Sequence, residues 1–170
     1  GRLANFINGE LYGRVTDVPW AMKFPTELHE PSLNSPEINA MFPDGQIPMH
    51  SNEIIDVVKH FPDGIQKLEA VLTPRHPSQL YEAAGEGLFL FAVLYFVRTR
   101  SKTLPHGILT GLFFILYAIV RILCEAYREP DSSLILGITK GQFYSTFMIG
   151  MGLAFILNGL WSRRRAIASQ

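Results

Sequence analysis

Three apolar runs, at residues 80–97, 106–126 and 141–161, follow a polar first stretch in which proline recurs every few positions. Each run approaches or reaches the roughly 20 residues that an α-helix needs to cross about 30 Å of hydrocarbon. A helix of a soluble bundle would place polar residues at every third or fourth position on its outer face. Between Gly87 and Val97 the only polar group is the hydroxyl of Tyr95. Between Gly107 and Val120 only Thr110 and Tyr117 are polar. The pattern predicts transmembrane helices over 78–97, 106–126 and 141–161 and excludes a soluble bundle. The first run is the shortest and carries Glu82 and Glu86 near its start.

The rest of the chain is punctuated differently. Residues 1–14, GRLANFINGELYGR, form a compact polar motif, and residues 15–75 read as a Pro-rich extracytoplasmic head region. Pro19 and Pro25 disfavour helix at the residues before them, so 18–25 is expected to be extended. Pro31, Pro36, Pro43 and Pro48 punctuate loops, and Asp44-Gly45 is a turn signal. A short helix is predicted over 52–60, where Ile54, Ile55, Val57 and Val58 supply an apolar side. Pro77 suits the first position of the next helix, where its missing N–H costs nothing. Pro130, in the REPD sequence, stops the second span. Met148, Met151 and the Gly150/Gly152 pair suit close helix packing in the third.

Composition conceals this division, because 18% charged residues and zero formal net charge describe an ordinary chain of 170 residues. Eight of the eleven prolines fall before residue 76. The basic residues are more informative. Arg98, Arg100 and Lys102 lie in the first connection and Arg163, Arg164 and Arg165 at the end, whereas residues 128–140 balance two basic residues against Glu129 and Asp131. The positive-inside rule makes the first connection and the tail at 162–170 cytoplasmic. Residues 15–75 and 128–140 are then outside, provided that 1–14 do not cross. Trp161 stands where an interfacial aromatic belt would. The first residues show neither a charged n-region nor an apolar h-region. The chain is therefore expected to be the C-terminal part of a larger polytopic bundle, an all-α integral membrane protein. The single cysteine, Cys124, precludes an intrachain disulfide, and no Cys/His spacing resembles a metal site. It points about 100° away from Glu125 on a helix of 3.6 residues per turn and reads as a packed thiol. No cofactor and no nucleic-acid partner is expected.

Tyr117, Arg121, Glu125 and Arg128 share one stripe of the second run at i, i+4, i+8 and i+11. Charges in such a segment are costly, so they face a bundle interior or a wet cavity and mark function. The competing reading is a structural Arg121–Glu125 pair with Arg128 snorkelling to the interface. Arg121 lies roughly 6–8 Å below the helix end at 1.5 Å per residue, near the depth of a lipid phosphate. The first and third helices begin on that same side, and helix N-termini suit anions. In residues 1–14, Arg2 can clamp a phosphate bidentately. Asn5 and Asn8 offer amides to esters or hydroxyls beside Glu10, and Gly9 and Gly13 allow close backbone approach. Read as a helical turn, Arg2 and Asn5 fall side by side. HPSQLYEA, residues 76–83, sets His76, Gln79, Tyr81 and Glu82 at an outer helix entrance, although ordinary helix-start chemistry accounts for Pro77 and Ser78.

Together and in this order, GRLANFINGELYGR, HPSQLYEA and the Tyr117–Arg121–Glu125 helix ending in REPD closely resemble the prolipoprotein diacylglyceryl transferase family. The resemblance covers essentially the whole chain. It implies transfer of the diacylglyceryl group of phosphatidylglycerol to the lipobox cysteine thiol of a bacterial preprolipoprotein. It also implies catalytic roles for Arg121, Glu125 and Tyr117, and substrate binding by Arg2, Asn5, Asn8, Glu10, Gly13, His76, Gln79 and Arg128. In this assignment Arg2 takes the phosphate, Arg121 stabilises the leaving group, Glu125 orients Arg121, and His76 caps its helix. The family's upstream half carries a His-containing motif and a tyrosine important for activity, so this chain alone is expected to be inactive. A non-catalytic scaffold binding anionic lipid would explain the basic groups but not the three joined motifs. A transporter would need helices broken near mid-membrane, whereas the second span has only Gly111 as an internal breaker.

Overall fold

The computed structural model describes residues 1–33, 35–101, 103–129 and 137–168. Lys102, Pro130 and Asp131, invoked above for charge and for the helix stop, lie outside the described residues. The fold is all-α, and among the described residues β pairing is confined to isolated bridges. Two compact units divide the chain, one of residues 1–80 with 127–129 and the other built on 81–126 and the third long helix.

The first unit begins with α1 (Arg2–Asn8), which ends at Gly9 with φ 76°. Short elements follow, and four of them start on a proline whose fixed φ suits a first helical position: 3₁₀ turns at Pro25–His29 and Pro31–Leu33, α2 (Pro36–Asn39) and a 3₁₀ turn at Pro43–Gly45. Then come α3 (Ser51–Val58) and α4 (Gly64–Val71). The helix expected over 52–60 is α3. Its Ile54 and Val58 are fully buried and meet Ile38, Phe42, Leu68 and Leu72 in one apolar core. Helix α4 was not anticipated; Leu68 on it and Leu72 directly after it both enter the core. The expected extended segment at 18–25 is interrupted by a turn that Ala21 N closes on Val18 O at 2.9 Å. Beyond that turn Met22 pairs with Arg75, whose other side is bridged to Val15.

Among the described residues three helices are long and apolar enough to cross a membrane, and from Tyr81 onward they build the second unit. The first, Ser78–Arg100, starts as α5 (Ser78–Glu82), passes through a π-helical turn at Ala83–Phe89 and continues as α6 (Leu90–Arg100). The others are α7 (Ile108–Glu125) and α8 (Lys140–Ala168). Leu88, Phe91, Phe96, Leu123, Phe147 and Leu157 stand exposed along them. Water would penalise that surface, whereas lipid tails accept it. Helix α8 continues past the apolar run into the expected tail, where Arg165 stacks 3.7 Å from the ring of Trp161.

Small residues bring α7 and α8 together. A Cβ added at Gly111 would lie 2.5 Å from Gly152 O, and one at Gly152 would lie 2.7 Å from Gly111 O. Backbones that close exclude any side chain at the crossing. Of the two glycines expected to pack, only Gly152 does so, since an added Cβ at Gly150 would meet nothing within 4 Å. Phe114 and Phe155 stack across the same pair of helices, and Cys124 is a buried free thiol. Gly152→Leu should overpack this crossing at a cost of about 1–3 kcal/mol. Gly150→Leu should change stability by less than about 0.5 kcal/mol. Thermal midpoints of both variants in one detergent check the contrast, and equal midpoints would refute the assigned crossing.

Candidate functional site

Within the first unit, the backbone joins the three motifs that stand far apart in sequence. Gly13 N donates to His76 O at 2.9 Å, His76 N to Arg14 O at 3.0 Å, and Arg14 N to Tyr127 O at 2.9 Å. Arg14 Nε adds a bond to Arg128 O at 2.9 Å. Gly13 is required here by packing, because a Cβ would sit 2.5 Å from Tyr127 O and 2.7 Å from the His76 Cβ. Gln79 is fully buried and donates through Nε2 to Glu10 O at 2.7 Å, while Ser78 Oγ donates to Leu11 O at 3.2 Å. The ring of His76 packs edge-on against Tyr127 at 5.2 Å, and it is the His76 carbonyl that receives Ser78 N.

At the centre of this stitching lies Arg75, only 5% exposed. Its Nε donates to Glu27 Oε1 at 2.6 Å, its Nη1 pairs with Glu129, and Glu30 approaches Nη2 at 3.5 Å. Glu27 is itself 1% exposed and also accepts from Thr73 N at 3.0 Å. The guanidinium carbon lies 4.8 Å from the ring centroid of Tyr12, whose hydroxyl donates to Glu30 at 2.8 Å. Burial, together with the neighbouring Glu30, pushes the Tyr12 phenol well above its ordinary pKa. For Arg75, burial opposes the charge, but hydrogen bonding and attraction from Glu27, then Glu129, outweigh it and hold the pKa above its usual value.

Arg2, Asn5 and Asn8 lie on α1 at spacings that put Arg2 and Asn5 side by side. Asn8 O accepts from Ser51 Oγ at 3.3 Å and Gly9 O from Thr26 Oγ1, which ties the end of α1 to its unit. Glu10 contributes its backbone: its N donates to Asn5 O at 2.8 Å, and its side chain is exposed.

In the second unit, Arg121 is the hub. Its Nη1 donates to Glu82 Oε1 at 2.9 Å and to Glu86 Oε1 at 3.1 Å. Tyr117, one turn away on α7, donates from its hydroxyl to Glu86 Oε2 at 3.4 Å. Glu125 comes no nearer to Arg121 than 3.8 Å, beyond hydrogen-bond range. It lies instead against the start of α8, where a Cβ at Gly141 would be 2.9 Å from Oε2. A carboxylate is favourable beside a helix N-terminus. The expected Arg121–Glu125 couple is therefore the weakest of three, because the first span supplies nearer carboxylates. The expected stripe also ends early. Helix α7 stops at Glu125, and Arg128 sits beyond it in a bridge with Gly13.

Sequence reasoning missed the partners rather than the arginine. Glu82 and Glu86, four residues apart at the head of an apolar run, carried a usable signal, since a charge in a span needs an opposite one. Arg75, Glu27 and Glu30 carried none, because nothing periodic links them.

An ionic cluster among apolar helices long enough to cross a membrane defines an integral membrane protein with an intramembrane charged site. The chain belongs to the prolipoprotein diacylglyceryl transferase family, whose model matches residues 1–158. It is 40% identical over 99% of its length to a phosphatidylglycerol--prolipoprotein diacylglyceryl transferase of Burkholderia multivorans, covering 52% of that protein. A protein of the same name from Paraburkholderia xenovorans is 39% identical over 98% of this chain, which covers 50% of it. The chain thus spans about half the length of the curated relatives it matches.

Removing one member of a buried ion pair strands the other, so Arg75→Ala should destabilise the first unit by about 3–5 kcal/mol. Trp20 fluorescence during thermal unfolding, in a Trp161→Phe background, reads this directly. A midpoint shift of less than 2 °C would refute it; the cost estimated for Arg75 corresponds to several degrees or more.

Proposed function

We propose that this chain forms part of an enzyme of a bacterial inner membrane, with its C-terminus cytoplasmic. The enzyme moves the diacylglyceryl group of phosphatidylglycerol to the lipobox cysteine thiol of a preprolipoprotein. The observation that carries this reading is the likeness, along nearly the whole chain, to relatives named for that transfer.

The chemistry has three demands. The thiol gives up its proton, its sulfur attacks a glycerol carbon, and the carbon–oxygen bond to phosphate breaks with the electron pair leaving on phosphate. A thioether and glycerol phosphate result. A free cysteine has a pKa of about 8.5, so a base or a positive field is needed to form thiolate. An arginine stays protonated, so the proton acceptor is another group.

Arg121 suits the leaving phosphate, because a preorganised cation is most effective where charge develops. Both nearby carboxylates of the first span take Nη1, and among the described residues Nη2 has only the 3.8 Å approach of Glu125. That leaves N–H groups on Nη2 for a phosphate oxygen. Tyr117 is one turn away and offers a hydroxyl to the same group. Glu125 secures the junction of α7 and α8 and adds negative charge beside Arg121. Arg2 and Asn5 bind the lipid headgroup phosphate and glycerol, with Asn8 and Glu10 shaping that site. Gly13, His76, Gln79 and Arg128 hold the motifs together, which supports substrate contact by their neighbours more than by themselves.

The test is to join this chain to the remaining half of the Burkholderia multivorans relative and assay transfer from phosphatidylglycerol to a lipobox peptide. Arg121→Lys keeps the charge but loses the planar fork, so turnover should fall by at least tenfold. Near-normal turnover would show that a point charge suffices. Arg2→Ala should weaken phosphatidylglycerol binding by roughly 1.5–3 kcal/mol, the worth of one charge-assisted hydrogen bond. Unchanged lipid affinity would remove Arg2 from the site. Lipid binding without any transfer by a folded wild-type chimera would favour a non-catalytic anionic-lipid scaffold.

A further inference from the structure

The first span contains a seven-residue π-helical turn, Ala83–Phe89, between α-helical stretches. Such turns are rare and occur inside α-helices, frequently at functional sites. Here the turn carries Glu86. Its Oε1 accepts from Arg121 Nη1 at 3.1 Å, and its Oε2 accepts from Tyr117 at 3.4 Å. One carboxylate therefore spans two side chains that sit a turn apart on α7. The side chain of Glu86 is 10% exposed, so these bonds operate largely out of solvent.

The approach depends on the residue beside it. A Cβ added at Gly85 would lie 2.5 Å from Val120 Cγ1, so only glycine lets the π turn come this near to α7. Glu82, at 2.9 Å from Arg121, supplies countercharge from the preceding turn. Glu86 thus has a partner in both Arg121 and Tyr117. An uninterrupted α-helix would advance about 100° per residue. A wider π turn advances less, so straightening it would rotate Glu86 away from one of its two partners.

We propose that Glu86 is the positioning residue of the transfer reaction, fixing Tyr117 and Arg121 at one mutual spacing so that both meet the same phosphate. This rests on the transferase reading above. Long side chains left unrestrained would sample many geometries, and holding them in the reactive one removes that cost before the substrate arrives.

Two variants separate positioning from charge balance. Glu86→Gln removes the charge and keeps the length, while Glu86→Asp keeps the charge and withdraws the carboxylate by one methylene. In the chimera, each should lower kcat by about 10²-fold with little change in KM for phosphatidylglycerol, the scale expected for a small misplacement of reacting groups. Adding Tyr117→Phe to Glu86→Gln should cost less than the product of the two single losses. Wild-type turnover by Glu86→Asp would reduce Glu86 to a countercharge, and fully additive losses would uncouple it from Tyr117; either overturns the proposal.

A second measurement needs no activity. Phenylglyoxal modification of Arg121, followed by peptide mass spectrometry on this chain in detergent, should rise several-fold in whichever of the two variants keeps wild-type helicity. An unchanged rate would show that Glu86 does not hold Arg121. Absence of transfer by the wild-type chimera would sink the transferase reading, while the modification rate would still decide whether Glu86 restrains the arginine.

Discussion

A guanidinium withdrawn from water has to be met by carboxylates, and each unit of this chain is organised around one such meeting. In the first unit Arg75 faces Glu27, Glu30 and Glu129. In the second Arg121 faces Glu82, Glu86 and Glu125. Desolvating an ion costs several kcal/mol even after relaxation, so such clusters persist only when geometry and extra hydrogen bonds repay the loss. Thr73 and Tyr12 supply those bonds around Arg75, and Tyr117 does so around Arg121. The two hubs nonetheless do different things. Arg75 is sealed among its partners, whereas Arg121 has both close carboxylates on one amino group.

Around Arg75, segments 13–16, 22, 74–76 and 127–128 exchange backbone bonds in pairs. The family motifs are thereby locked to one another, and several residues expected at a substrate serve as fasteners. Gly13 is there because the Tyr127 carbonyl leaves no room for a Cβ, and Gln79 because its amide ties Glu10. A motif residue need not touch substrate to be required by the site.

In the membrane unit, lipid removes the hydrophobic drive for helices to associate, so packing and polar contacts decide how they meet. Gly111 and Gly152 allow α7 and α8 to touch backbone to backbone. Glu125, set against Gly141, links the end of α7 to the start of α8. On the other side of the charged cluster, Gly85 and the π turn bring the first span to Val120. The same few small residues that permit close packing thus bring carboxylates from separate helices to one guanidinium.

Much of this was legible in the chain itself. Uninterrupted apolar runs of about 20 residues have one stable solution in a bilayer, because every backbone polar group must be satisfied within the helix. The three spans follow from that, as does helix α3 from the spacing of Ile54 and Val58. Arg121 could be singled out because a charge in such a run is too costly to be incidental. Its partners could not. A helical period relates residues on one helix and favours Glu125, while the nearer carboxylates, Glu82 and Glu86, come from another span. Arg75 and Glu27 lie 48 positions apart, and Gly13 and Arg14 meet His76 and Tyr127 through backbone bonds that no side-chain pattern records. Sequence by itself determined the three long apolar helices and picked out the arginine buried in one of them, since both follow from local chemistry and the surrounding lipid. Which carboxylates neutralise that charge was decided only by tertiary structure, because it depends on where close packing allows separate helices to meet.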